Sequence, residues 1–503
     1  MLSAFLAYTI LFTSLPPVNI DLPDWDVHPS LFDTLQDIWS ERKIMYADAE
    51  DTPVATMTED HFNETRSDTY TVSIADGIRT VIINNAAHLI EYSIAYNTFP
   101  EHHHDTDIVK LSTTNGTLWD LVESSSYMEG DNDCGGFQSI GSSELPFKGK
   151  IQLNGTDTIN INIDKPFLGT VEQCAEVCAL NLSRMKAGTI DKTPILANQI
   201  INNTSATIPL SVNINLVCNT NNNENTSIQN YSGIIGTIAD NTAVSLTVSN
   251  NMTHSTYGTA NVEASGSVGF LCCTMGEKSS LIATINSGTN NNYSVTSSDG
   301  SAGGLVGTMA NGSKLILANA GLNSITQSIT GAAYAGGIVG EATGAYIGVT
   351  DPDLAIGDMT VTSNYKAGST TLNGTTAAGY LFGSYTNTAT TVKEAIEADQ
   401  ENNIEAEPAV IVQDRTFTID SSFRNVALTF ASNNAGGYFG VLNNHATGAT
   451  VTFDGGIGDV LSYDAKDANK LLKINFGNGL SNQGGVIYKY SANDLTNTLY
   501  IYK

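Results

Sequence analysis

Cysteine is scarce: six residues (Cys134, Cys174, Cys178, Cys218, Cys272 and Cys273) in a chain of 503, too few for a disulfide-built scaffold. Cys174 and Cys178 stand at a spacing that shares one helix face, but no His or further Cys follows at zinc spacing, and the neighbours Cys272 and Cys273 do not easily bridge each other. The cysteines are therefore expected to be buried small residues that hold no metal. Positive charge is also short. Lys and Arg number 22 against 51 Asp and Glu, a net charge of −29, which repels phosphate backbones and anionic headgroups and excludes nucleic acid as a partner. Long apolar runs are absent except for Leu2–Leu15, which ends at Pro16-Pro17 and is too short to span a membrane. Its length suits the apolar part of an export signal, although no Lys or Arg precedes it; a buried helix is the alternative. No second apolar span follows, so no stable membrane span is expected. Catalytic motifs are missing too. There is no G-x-S-x-G, and Gly307, Gly312, Ser313 and Lys314 imitate a phosphate loop with Ser and Lys in the wrong order, as a repeat corner would.

What is abundant is glycine, 45 residues, with Asn, Ser and Thr, while only 15% of residues are charged, 41% are apolar and the mean hydropathy is −0.07. Such side chains suit turns and strand faces, and the apolar share is enough for a continuous core. A chain of this length exceeds one compact domain unless it is built of repeats that grow along one axis.

Residues 1–17 read as the signal segment and 18–69 as an acidic, Pro-punctuated leader. Residues 70–136 read as an N-terminal α/β capping unit. In it Tyr70–Ile74 and Ile78–Ile83 have strand character, and Asn84-Asn85 precede Ala86, Leu89, Ile90 and Ile94 at helical spacing. From 137 to 503 the period is two. Ile159, Ile161 and Ile163, then Val212, Ile214 and Leu216, then Val244, Leu246 and Val248, alternate with polar residues, and the pattern returns at Val426–Phe430, Ala449–Phe453 and Leu472–Phe476. One face is expected to be apolar throughout and the other mostly Asn, Ser and Thr.

Between these strands a glycine motif recurs: SGIIG at 232–236, GGLVG at 303–307, GGIVG at 336–340, GYLFG at 379–383 and GGYFG at 436–440. Weaker copies are KPFLG at 165–169, VGFLC at 268–272 and GGVIY at 484–488. Intervals of 33 to 36 residues separate the central copies. A first interval of 67 suggests a decayed copy, and longer later ones suggest insertions, one near 390–410. Paired glycines permit positive φ and close backbone approach at a corner, and the two apolar residues that follow enter the interior. The fold class expected is all-β, a parallel β-helix or solenoid with the capping unit at its N-terminal end. A sandwich or propeller stays open, since alternation does not give pairing direction.

These GG-φ-φ-G units, with FQSIGSSELPFKGKIQLNGTDTININIDKPFLG at 137–169 ahead of them, resemble the GLUG-type repeats of secreted and surface-attached bacterial proteins, many of them adhesins. Tyr70–Asp120 is similar to the leading unit of such proteins. Repetition without chemistry leads to the expectation of a non-enzymatic protein with no catalytic, cofactor or metal residues that presents an elongated acidic, Asn/Thr/Ser-rich face for binding or spacing; the resemblance implies that it is adhesin-like and secreted or at a cell surface, with a glycan or protein of a host or cell surface as partner. Two other functions are kept open: a carbohydrate-active β-helix enzyme (polysaccharide lyase or hydrolase) and a structural matrix component with no specific ligand.

Local clusters add little. His102, His103, His104, Asp105 and Asp107 form the densest set of metal-ligand types, but a solvated loop explains them. Asp131 and Asp133 lack the rest of a calcium loop. The aspartates of Asp351–Asp358 are acid/base candidates by charge alone. Asn115, Asn154 and Asn311, each in Asn-Gly-Ser/Thr, read first as turns. The strand-like Thr498–Tyr502 offers an uncovered edge, from which truncation or self-association through the C-terminal edge is expected.

Overall fold

The structure is a computed structural model that describes residues 70–98, 107–112, 118–122, 126–129, 132–154, 159–183, 193–216, 232–250, 259–287, 292–320, 326–349, 359–365, 367–387, 391–395, 408–412, 415–419, 427–431, 434–444, 448–453, 473–476, 483–484, 487–492 and 498–502. The chain divides into two units, Met1–Val54 and Ala55–Lys503, and every described residue belongs to the second. The signal segment and leader expected at 1–69 lie outside the described residues, as do His102–Asp105 and Asp351–Asp358. Among the described residues no helix is long and apolar enough to cross a membrane.

The described part is mostly β. It opens with an antiparallel hairpin, Thr71–Ala75 with Ile78–Ile83, turned by Asp76 and Gly77, both in the left-handed region (φ 54° and 79°) as a two-residue hairpin loop demands. Helix α1, Ala86–Thr98, follows, its first turn capped by Asn85, whose Oδ1 accepts from the His88 N–H at 2.9 Å. The helix buries Leu89, Ile90, Tyr92, Ala95 and Tyr96. Its last turns bind the backbone of the next segment. Ser93 Oγ accepts from the Gln138 N–H, Asn97 bonds both Ser139 O and the Gly141 N–H, and Tyr96 donates to Pro146 O. Residues 140 and 147 in turn bridge in parallel to Leu168 and Val171 in the first strand of a nine-stranded sheet.

From 259 onward the chain visits its sheets in a recurring order, in which the twelve-stranded sheet takes its last strand at Tyr346–Gly348 and the four-stranded sheet begins at Met359–Val361. Ala302–Gly303, Val306–Met309, Lys314–Ala320 and Thr326–Gly331 belong to four different sheets, and Tyr334–Gly336 begins the same circuit again. Each strand pairs in parallel with its counterpart one circuit on, as Val306 does with Val339. Among the described residues this gives parallel sheets of nine, six, six and four strands and a twelve-stranded sheet that is parallel apart from the opening hairpin. An antiparallel sandwich or propeller does not fit these pairings. Residues 391–395 and 408–412 form a separate antiparallel pair at the expected insertion, and Ser126–Glu129 pairs antiparallel with Asn132–Gly136.

The nine-stranded sheet gives the register of the glycine motif. Leu168, Ala197, Ile235, Cys272, Val306, Val339, Phe382, Phe439 and Ile487 stand in one ladder. Two readings of the sequence are corrected by it. The copy absent between 166 and 233 is Pro194–Asn198, which has no glycine yet buries Leu196 and Ala197 where the other copies bury their apolar pair. The weak copy near 268 is shifted by one residue: Gly269 pairs with Gly303 and Cys272 with Val306, so the unit is Gly269–Cys273.

The role of the glycines is also corrected. Among the described motif glycines only Gly233 has positive φ (118°). The others are demanded by crowding: a Cβ on Gly336 would lie 1.7 Å from the Val339 carbonyl oxygen and 2.9 Å from the Gly383 nitrogen, and on Gly303 1.8 Å from the Val306 oxygen and 2.6 Å from the Gly340 nitrogen. The first glycine of one motif thus meets the last glycine of the next, backbone against backbone.

The interior is not wholly apolar as expected. Tyr293, Gln327 and Thr370, successive rungs of a six-stranded sheet, are all buried and bonded in a line: Tyr293 donates to Gln327 Oε1 at 2.5 Å, and Gln327 Nε2 donates to Thr370 Oγ1 at 2.8 Å and to Gly337 O at 3.0 Å. Phe270 stacks on Tyr293 with centroids 4.8 Å apart.

Three substitutions test this packing. Val339→Asp, at a fully buried rung, is expected to cost on the order of 4 kcal/mol and to make the purified protein protease-sensitive. Gly336→Ala is expected to cost about 1–3 kcal/mol by overpacking, whereas Gly266→Ala, where an added Cβ meets nothing within 4 Å, is expected to change stability by less than about 1 kcal/mol. Denaturant titration of both alanine variants checks the contrast.

Candidate binding face

A regular arrangement of outward side chains lies on the outer side of the twelve-stranded sheet, with Ser211, Asn213 and Asn286 exposed and the others half-buried. Strands Leu210–Leu216, Ala243–Asn250 and Ser280–Ser287 pair in unbroken register. Alternation sends Val212, Ile214, Leu216, Val244, Leu246, Val248, Leu281, Ala283 and Ile285 inward, where all are buried. The outward positions then form three rows across the strands: Ser211, Ser245 and Ile282; Asn213, Thr247 and Thr284; Asn215, Ser249 and Asn286. Neighbours within a row are about 4.8 Å apart and rows about 6.7 Å apart, the spacings of any flat parallel sheet.

The third row continues backward as a chain of amides. Asn215 Nδ2 donates to Asn181 Oδ1 at 2.7 Å, and Asn181 Nδ2 donates to Asn160 Oδ1 at 3.2 Å. Since a carboxamide has two N–H donors and two acceptor lone pairs, these two bonds occupy half the capacity of Asn181 and less of Asn215 and Asn160, and they hold the amide planes in fixed directions. The first row continues into Glu176 and Lys150, which form an ion pair at 2.8 Å. A hydrogen bond from Cys178, and then the lysine, hold the Glu176 carboxyl below its usual range; the bond to Glu176 raises Lys150.

Beside this end of the face lies an open groove of about 440 Å³, lined by Gln173–Glu176, Ala206–Pro209 and Ser211. Its wall is the loop Asn202–Pro209. The equivalent corners of the next three circuits are four-residue turns, 239–242, 276–279 and 310–313, and the one after them, 344–345, is shorter, so this one of eight residues is enlarged. The buried Glu172 and Gln173 and the half-buried Asn202 hold it. Gln173 Nε2 donates to Ala206 O and Ile208 O, both at 2.9 Å; Glu172 Oε1 accepts from the Thr204 N–H and Asn202 Oδ1 from the Ala206 N–H, both at 2.8 Å. At the rim Ile208 is 77% exposed.

The clusters noted in the sequence do not assemble here. Asp107 is buried and paired with Arg79 at 2.7 Å, so it is no part of a solvated loop. The shared helix face expected for Cys174 and Cys178 does not exist, because Cys174 sits in a turn and Cys178 in strand Glu176–Ser183. The expectation of buried cysteines holds for Cys272 alone among the described side chains; Cys178 and Cys273 are half-buried and Cys174 is exposed. Gly312 turns a corner at φ 73°, and the Ser313 hydroxyl donates to Ala310 O at 2.6 Å, an arrangement internal to the turn. Asp131 and the side chain of Asp133 lie outside the described residues, as do Asn115 and Cys218. Among the described residues no three His, Cys, Asp or Glu side chains gather into a metal-holding group. The amide ladder and the enlarged corner escaped sequence reading; the one signal for them was the outward polar alternation.

Comparison of the chain with protein-family models, with curated proteins and with solved structures gave no match.

Burial, and next the bond to Glu176, push the Cys178 thiol up to about 11, and burial pushes Cys273 up to about 11 as well. At pH 7 only about one part in ten thousand of each is then thiolate. Alkylation of Cys178 by iodoacetamide is expected to be slow at neutral pH and to keep rising through pH 9–10, where an ordinary thiol has levelled off; mass spectrometry of the native protein reads this.

Proposed function

We propose that this chain is a non-enzymatic, adhesin-like repeat protein of the β-solenoid kind, similar to GLUG-type proteins, that is secreted or held at a cell surface and presents the outer face of its twelve-stranded sheet for binding. The observation that carries the reading is the set of in-register Asn, Ser and Thr rows on that face. Nothing in the packing of the core needs them, since the inward side chains alone fill it, and their amides and hydroxyls are fixed as an array. The solenoid reading is supported by the recurring order in which the chain visits its parallel sheets and by the single ladder from Leu168 to Ile487. The non-enzymatic reading is supported by the groove, whose lining contains one carboxylate, Glu176, already engaged by Lys150 and Cys178, whereas glycoside cleavage ordinarily requires a pair. The cell-surface assignment rests on the repeat motif and the acidic composition. Incubation of the purified protein with a panel of soluble polysaccharides is expected to give retention without release of new reducing or unsaturated ends; turnover of any of them overturns the proposal in favour of an enzyme.

A further inference from the structure

We infer that the rows Asn213–Thr247–Thr284 and Asn215–Ser249–Asn286, together with the groove at Gln173–Glu176 and Ala206–Ser211, form one site for an extended strand of a neutral, hydroxyl-rich polysaccharide lying along the rows. The inference rests on the binding reading above and adds the ligand class and its location.

Charge selects against other polymers. The chain carries a net −29, yet these two rows contain only amides and hydroxyls, and in the adjoining first row, on the side of the groove, Lys150 and Glu176 neutralise each other. A polyanion meets long-range repulsion, and a polycation finds no local carboxylate array to fix its register. Hydrogen-bond type selects in the same direction. Amides and hydroxyls both donate and accept, as sugar hydroxyls do, while phosphate and sulfate only accept and ammonium only donates. Spacing favours a polymer over a small ligand, since equivalent groups recur about every 4.8 Å and reward a chain with a regular repeat through many weak contacts.

The groove supplies what flat polar rows lack. Its ledge of Ala206, Ile208 and Pro209 is apolar and suits the C–H face of a pyranose ring, while Glu176 and Ser211 at its floor belong also to the first row of the face. The loop that carries the ledge is pinned by Gln173, Glu172 and Asn202, so ordering it on binding costs little. An eight-residue corner held in this way, where the equivalent later corners take four residues or fewer, is a built wall beside the rows.

The test is affinity electrophoresis of the full chain in gels containing hydroxyethyl cellulose, xyloglucan or galactomannan, with alginate as the anionic comparison. At least one neutral polymer is expected to retard the protein and alginate is not. Thr247→Glu in the middle row and Ile208→Asp at the ledge are each expected to weaken the retardation about tenfold, and Thr247→Ser to keep it within about threefold. Both positions are outward, so thermal unfolding is expected to stay near that of the unaltered chain, and a variant that unfolds early is replaced by Thr284→Glu. Retardation by a neutral polymer that both variants leave untouched overturns the assignment of the site while leaving the binding reading intact. Retardation by alginate alone, or by none of the polymers, overturns the ligand class; attachment of the same protein to intact cells then keeps the binding reading. Release of reducing ends overturns the binding reading itself.

Discussion

The close approach of two backbones at the glycine corner is the constraint on which the rest depends. Gly303 faces Gly340, Gly336 faces Gly383 and Gly379 faces Gly440 at separations that leave no room for a Cβ. Because a first glycine of one circuit meets a last glycine of the next, the contact sets the offset between circuits as well as the turn within each. That offset places Val306 on Val339, and Leu281 lies on Leu315 in the same way, although the strands beyond shift register between Ala283 and Thr284. A one-residue slip would turn inward rows outward and bury Asn and Thr.

Inside, a second device makes the register specific. Apolar side chains tolerate sliding, but the line Tyr293, Gln327, Thr370 is satisfied only when those three positions are neighbours, since each buried polar group left without its partner costs on the order of 1–3 kcal/mol. The stacked rings of Phe270 and Tyr293, and of Phe382 and Phe439, act likewise through geometry. Where the circuit lengthens between Phe382 and Phe439, the extra residues are spent partly on the separate pair 391–395 with 408–412, and the ladders resume unchanged.

The candidate binding face follows from these two devices. Its rows are flat because the register holds over three consecutive strands, and its groove exists because one corner is enlarged and then held by buried Gln173 and Glu172. The cost of ordering that corner is met within the fold, so the ledge at Ile208 is presented ready-made. The polar rows and the apolar ledge meet at Glu176 and Ser211, which are shared by both.

The sequence by itself determined the β character, the inward aliphatic positions and the corner motif, because alternation and glycine placement are local: Val212, Ile214 and Leu216 read as one buried face without knowledge of any partner. The helix after Asn85 was legible for the same reason. Pairing direction, the glycine-free copy at Pro194–Asn198 and the one-residue shift at Gly269–Cys273 were decided only by the tertiary structure, since they are properties of which rung lies on which. The same holds for the candidate site. Asn160, Asn181 and Asn215 are separated by 21 and then 34 residues, no fixed period, and became a hydrogen-bonded row only when parallel strands brought them side by side. A hydrogen bond requires distance and direction, and between these parallel strands both are fixed by the neighbouring strand rather than by the neighbouring residue.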